Sequence, residues 1–319
     1  MFLRFSALLL LQCFALAASA QEAADSYTLV WHDEFNTDGP LNPADWTYEQ
    51  GFVRNEEDQW YQPENAFCKD GLLVIEARRE HRPNPQYGQA RGWRNREYIE
   101  YTSASVNTRD RHAWTYGRFE VCARIPAYTG CWPAIWTLGQ NDKGIYGWPN
   151  NGEIDLMEYY QVAGKPCILA NACWGGKRTK YNGTWSTTRT PYTHFLEKDA
   201  LWGEQFHVWR MDWTEESISL YLDDELLNCV PLENTENPKT DFFPVGGYNP
   251  FRHPHYLLLN LALGGINGGP LDDTPFPCRY EIDYVRVYQK GSGKSAGDSA
   301  VVGVDADADG VGSDGTRRQ

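Results

Sequence analysis

Three carboxyl groups fall within six positions, Glu153, Asp155 and Glu158, in the run Gly152-Glu153-Ile154-Asp155-Leu156-Met157-Glu158-Tyr159-Tyr160. Ile154, Tyr159 and Tyr160 favour a strand, and Pro149-Asn150-Asn151-Gly152 is a turn that leads into it. In a regular strand Glu153 and Asp155 share a face and Glu158 falls on the other. One extra residue between Asp155 and Glu158, a β-bulge, returns Glu158 to their face, and bulges gather beside active sites. A bulge is therefore expected here. Acids on one face suit paired-carboxylate chemistry at a sugar acetal, one group working as acid and base and the other as nucleophile. Plainer readings compete. A solvated surface strand would carry such acids, although Leu156, Met157 and the tyrosines point to a buried one. A hard cation would also take carboxylate oxygens. A helix would set 153 and 158 on different faces.

The elements around this stretch read as strand after strand. Residues 116–125 alternate cleanly, with Phe119, Val121, Ala123 and Ile125 against Arg118, Glu120 and Arg124. Similar short runs recur at 27–35, 71–79, 98–108, 133–138, 168–174, 206–212, 217–222, 225–230, 255–263 and 280–288, while only 194–202 looks helical. Many short strands separated by turns predict an all-β chain, and an antiparallel two-sheet β-sandwich is expected.

Residues 1–20 read as a secretory signal: Arg4, an apolar run over 7–18, and Ala18-Ser19-Ala20 as the cleavage site. The run is too short to span a bilayer, so a secreted or periplasmic protein is expected. A body at 21–290 follows, then a tail over 291–319 poor in large apolar residues and read as disordered or a linker. Within that tail Asp305 to Gly310 matches half a calcium loop, but Thr316 stands where the loop needs Glu, so a solvated acidic tail is preferred. The net charge of −14 argues against nucleic acid or an anionic membrane as partner. Thirteen Trp and nineteen Tyr suit the apolar faces of a neutral polysaccharide, and a monomer is expected. Seven cysteines follow the signal. Cys122 with Cys131 and Cys167 with Cys173 are the nearest pairs, though a core this large needs no staple.

The acidic stretch resembles the signature of glycoside hydrolase family 16 in its bulged form, Glu-x-Asp-x-x-Glu. Trp31-His32-Asp33-Glu34-Phe35, Asp70-Gly71-Leu72-Leu73-Val74-Ile75-Glu76-Ala77, Tyr116-Gly117-Arg118-Phe119-Glu120, Trp132-Pro133-Ala134-Ile135-Trp136 and Tyr284-Val285-Arg286-Val287-Tyr288 are similar to further family landmarks. The resemblance implies a concanavalin-like jelly roll with a concave substrate cleft. It implies Glu153 as nucleophile, Glu158 as general acid/base and Asp155 setting their ionisation, in a retaining reaction. Retention needs carboxyls ~5–5.5 Å apart. Four strand steps separate the α-carbons by ~13 Å, so the strand must curve. Apolar surroundings should raise the pKa of Glu158.

By the same resemblance Asn55, Trp132, Trp136 and Trp148 bind substrate, and Trp174 is a further candidate for the cleft wall. His32 and His207 are read as structural. No cofactor is implied for catalysis, but a structural Ca²⁺ on Glu34, the Gly71 carbonyl and Asp283 is. The activity implied is a laminarinase-like endo-β-1,3-glucanase acting on β-1,3- or mixed β-1,3/1,4-glucans. The same fold acts elsewhere on red-algal galactans. Two further classes stay open, a non-catalytic lectin-like module and a cell-wall transglycosylase.

Overall fold

A computed structural model describes residues 27–141, 143, 146–177 and 182–291. The expected signal segment and the tail beyond Gly291 lie outside the described residues. Within them seventeen strands form two sheets. The seven-stranded sheet runs, in spatial order, Gly183–Pro191, Lys165–Gly175, Glu153–Val162, Cys131–Gly139, His255–Leu263, Ser105–Asn107 and Thr47–Tyr48. The ten-stranded sheet runs Glu225–Pro231, Ser217–Leu222, His207–Trp213, Gly117–Arg124, Cys278–Lys290, Leu72–Pro83, Tyr98–Ser103 and Gln59–Tyr61. Tyr27–Asp33 and Ala66–Lys69 add to it off this path. All pairings are antiparallel save Gln59–Tyr61 with Tyr98–Ser103, which is parallel and departs from the purely antiparallel expectation.

Period-two patterning builds the layer between the sheets. From one side come Phe119, Val121 and Ala123, with Trp209, Met211 and Trp213 on the neighbouring strand. From the other come Ile135, Ile154, Ile168, Leu257, Leu259 and Leu261. Each such side chain contributes roughly 1.5–3 kcal/mol by leaving water. The alternate residues of the outer strands meet solvent and pair across strands, as Arg118 does with Asp212 at 2.6 and 2.9 Å. Large aromatics go largely to this core: Trp46, Trp209 and Trp213 are fully buried. Among the described residues no helix is long and apolar enough to cross a membrane.

The expected helix over 194–202 is shorter than the sequence pattern indicates. Thr193–Leu196 is one helical turn, and Trp202–Glu204 is a separate 3-10 turn. Trp202 is drawn away by His207, on which it stacks at 4.0 Å between ring centroids. His207 also meets Asp223 at 2.9 Å and the Trp202 carbonyl at 2.9 Å, a structural arrangement.

Neither cysteine pair that is close in sequence is close in space. Cys167 and Cys173 lie six residues apart on one continuous strand, ~20 Å at strand rise. Cys122 sits on the ten-stranded sheet between core-facing Val121 and Ala123 and so points outward, whereas Cys131 belongs to the core.

Candidate active site

The outer face of the seven-stranded sheet carries the acids. The register slips as expected: Asp155 stands opposite Asn171 and Glu158 opposite Leu169, so Leu156 and Met157 share one partner position. The same slip appears against the Cys131–Gly139 strand. Both bulge residues are apolar and fully buried in the inter-sheet core. Satisfying both at once is what turns Glu158 back to the face of Glu153 and Asp155. The strand begins after Gly152, whose φ of +81° and close approach to Pro250 suit glycine.

Neighbouring strands, and the turn that leads into the acid strand, supply the donors. Trp132 Nε1 donates to Glu158 Oε1 at 2.9 Å, and Asn171 Nδ2 donates to Glu158 Oε2 at 2.8 Å. Trp148 Nε1 donates to Glu153 Oε2 at 2.7 Å. Trp136 Nε1 donates to Asn260 Oδ1 at 2.7 Å, and Asn260 donates to the Tyr61 hydroxyl at 3.0 Å. Ala134, Trp136, Tyr256 and Leu258 make a second, smaller apolar cluster on this face, a floor beneath the acids.

Burial dominates the electrostatics. It pushes Glu158 up to about 7, with Glu153 adding to the rise and the Trp132 and Asn171 donors opposing it. Burial also raises Glu153, against which the Trp148 N–H, the charge of Arg54 and a hydrogen bond from Asp155 all act. Asp155 is raised well above the carboxylate range by burial and by both glutamates. It is 1% exposed. One of its oxygens, Oδ2, has no hydrogen-bond partner, which costs far less for a neutral acid than for a carboxylate. The three groups titrate as a unit.

The residues expected to bind substrate separate into two kinds. Trp148 is 38% exposed and open to a ligand, whereas Trp132 and Trp136 are buried and show little ring surface. Asn55 takes a left-handed backbone (φ +55°) and donates to Glu57 at 3.3 Å. Trp174 lies on the opposite face, packed edge-on to Phe251 against the core, because Cys173 before it faces the cleft. It is therefore removed from the cleft wall. Sequence reasoning missed Arg54, whose guanidinium lies 4.9 Å above Trp136 and pairs with both oxygens of Glu49. It missed Asn171 and Glu57 as well. Their roles come from strand order rather than from any local motif.

The residues implied for calcium converge. Asp33 stands opposite Val285 and Leu73 opposite Ile282, which brings Glu34 and Gly71 to the same stretch of strand as Asp283. The donor set does not fit the ion as arranged. Arg286 holds both Glu34 oxygens at 2.8 Å and lowers the pKa of that acid, and His32 adds a contact at 3.1 Å. Among the described residues no cluster of three or more His, Cys, Asp or Glu side chains is spaced for a metal.

Comparison with known proteins gives this geometry its context. The profile of glycosyl hydrolases family 16 matches residues 54–286. A β-glucanase of Rhodothermus marinus is 38% identical over 291 residues, which cover 88% of this chain and 91% of that protein. The laminarinase catalytic domain of Thermotoga maritima superposes with a TM-score of 0.66 at 32% identity, over 84% of this chain and 100% of that one. A structure described with endo-acting O-glycanases of the human gut microbiota that initiate mucin breakdown gives a TM-score of 0.71 at 33% identity, over 83% and 92%. A profile match across most of the chain and a relative this similar over nearly its whole length reach the same result as the bulged strand: the chain belongs to glycosyl hydrolases family 16.

Proposed function

We propose that the protein hydrolyses β-1,3 bonds within β-1,3- or mixed β-1,3/1,4-glucans by a retaining double displacement. Glu158 gives its proton to the glycosidic oxygen as that bond breaks, and Glu153 attacks the anomeric carbon to form a glycosyl-enzyme. Glu158, now ionised, takes a proton from water. The water oxygen then attacks the same carbon and releases Glu153, so two inversions give net retention. Asp155 keeps its own proton and donates it in a hydrogen bond to the Glu153 carboxylate, which favours Glu153 as the ionised nucleophile. The observation that carries this reading is the two-for-one bulge. It sets a carboxyl group poised near neutrality in one row with a second carboxyl group held by an indole N–H. No cofactor enters the reaction.

The glucan assignment draws on the β-glucanase and laminarinase relatives and on the net charge of −14, which disfavours sulfated chains. Reducing ends released from laminarin and barley β-glucan, and abolished in Glu153→Gln, would support it. Cleavage of agarose, carrageenan, keratan sulfate or mucin glycans without laminarin would overturn the substrate. Export through residues 1–20 and a monomeric state belong to the same proposal, checked by N-terminal sequencing of secreted protein and by its sedimentation. A structural Ca²⁺ on Glu34, the Gly71 carbonyl and Asp283 requires the ion to displace Arg286. A melting temperature that rises with added Ca²⁺ and falls with chelator would support the ion, and one that does not move would dismiss it.

A further inference from the structure

The mechanism above leaves unused an indole on the cleft face. Glu153 stands opposite Cys173, and Cys173 stands opposite Trp185 on the edge strand Gly183–Pro191. Residues directly opposite in adjacent strands point to the same side of a sheet. Trp185 thus shares the face of the acids, two strands or ~10 Å from Glu153. It is 45% exposed. Position 183 is glycine, and a β-carbon there would lie 2.3 Å from Cys173 Sγ, 3.2 Å from Trp185 Nε1 and 3.5 Å from Pro149 Cβ. The missing side chain leaves room at one point for the edge of the indole and for Pro149 of the turn that carries Trp148. Two exposed indoles thus stand near Glu153, Trp148 hydrogen-bonded to it and Trp185 two strands away on the same face.

We propose that Trp185, with Trp148, forms a stacking platform for a glucosyl ring lying outside the pair of sugars being cleaved. A glucosyl ring presents apolar C–H faces, and an indole offers a broad flat partner for them. The proposal rests on the glucan reading. Its test compares long and short substrates, because only chains long enough to reach the edge strand meet Trp185. Trp185→Ala should raise KM for laminarin roughly two- to tenfold with kcat retained, as expected for loss of one stacking contact. Trp185→Phe should recover most of that loss, and the shortest cleavable oligosaccharide should show no change in either variant. Unchanged KM on laminarin would overturn the proposal, and so would an equal loss on long and short substrates, the mark of a structural defect. No cleavage of any β-glucan by the unsubstituted protein would overturn both this and the parent reading.

A separate observation concerns two sulfurs. Cys131 Sγ and Cys278 Sγ lie 3.5 Å apart in the core, 147 residues apart in sequence. They are the first residues of strands in opposite sheets, and Trp132, the donor to Glu158, follows Cys131 directly. A disulfide needs ~2.05 Å between sulfurs, a closure of ~1.5 Å that small side-chain rotations supply. We also infer that this pair closes into a disulfide joining the two sheets. One thiolate attacks a low-molecular-weight disulfide such as oxidised glutathione, giving a mixed disulfide and one thiol. The second thiolate then displaces the other glutathione, so two protein thiols are oxidised and one disulfide is reduced to two thiols. Both groups are buried, so the exchange belongs to folding, before the core closes. Refolding the full chain in a glutathione redox buffer should lower its mass by about 2 Da and yield one cross-linked peptide, Cys131 to Cys278. The Cys131→Ser and Cys278→Ser variants should each lose that peptide while folding as judged by circular dichroism. Full thiol titration after oxidative refolding, or a cross-link between any other pair, would overturn the inference.

Discussion

Trp132→Phe keeps an aromatic ring beside the acid strand but removes the N–H that donates to Glu158 Oε1 at 2.9 Å. That donor stabilises the ionised acid and is the largest influence holding its pKa down against burial. A hydrogen bond to a charged group is worth roughly 1.5–3 kcal/mol. At about 1.4 kcal/mol per pKa unit, the acid should rise by about one to two units from its value of about 7. Glu158 must be protonated to release the leaving group, so activity is present below its pKa and lost above it. The alkaline limb of kcat/KM on laminarin should therefore move upward by at least about one unit in Trp132→Phe. Asn171 still donates to the other oxygen at 2.8 Å, which keeps the carboxyl group oriented. An alkaline limb that stays in place or moves downward would refute the reasoning, since it would mean that the indole does not stabilise the carboxylate or that the limb reports another group.

The remaining expectations concern stability and the floor of the cleft. Glu158 is raised from 4.5 to about 7 on folding, so its contribution is complete below 4.5 and disappears as pH rises through 7. The loss is at most about 3.4 kcal/mol, from about 2.5 units at about 1.4 kcal/mol each, and Glu158→Gln should gain stability relative to the unsubstituted protein as pH rises between these values. Urea midpoints that run parallel across that range would contradict it. Arg54→Met leaves Glu49 and Glu57 without their cation and should cost about 2–3 kcal/mol, less than the roughly 3–5 kcal/mol of a fully buried pair because a fifth of the arginine side chain is open to water. A loss below about 1 kcal/mol would show that the pair is screened like a surface one. Glu34 is held at both oxygens by Arg286, so Arg286→Gln should free that carboxylate for a cation, and added Ca²⁺ should raise the melting temperature of this variant more than that of the unsubstituted protein. An unaltered shift would show that Arg286 does not govern the site.

The acidic strand was legible because two constraints act on six residues. Leu156 and Met157 both need the core, and the acids cannot enter it, so only a bulge satisfies the pattern. Alternation in 116–125 likewise carried over into a strand with Phe119, Val121 and Ala123 inward. The support of the site was not legible. Asn171 reaches Glu158, and Asn260 reaches Tyr61 across 199 residues, only through the order of strands in the sheet. Aromatic residues were sorted only by the fold: Trp132 and Trp136 lie buried on the acid face, Trp148 is exposed there, and Trp174 faces the core. Proximity in sequence misled for the cysteines, since a continuous strand holds Cys167 and Cys173 apart while two strand starts bring Cys131 to Cys278.

The assignment of Glu153 and Glu158 to their separate tasks is tested most directly by azide rescue of the alanine variants on an activated β-glucoside. Glu158→Ala retains the nucleophile, so azide should capture the glycosyl-enzyme and give a β-glycosyl azide. Glu153→Ala lacks it, and azide should attack the substrate itself to give the α product. Reversed products would exchange the two roles, and no azide adduct from either variant would contradict a double displacement on this strand.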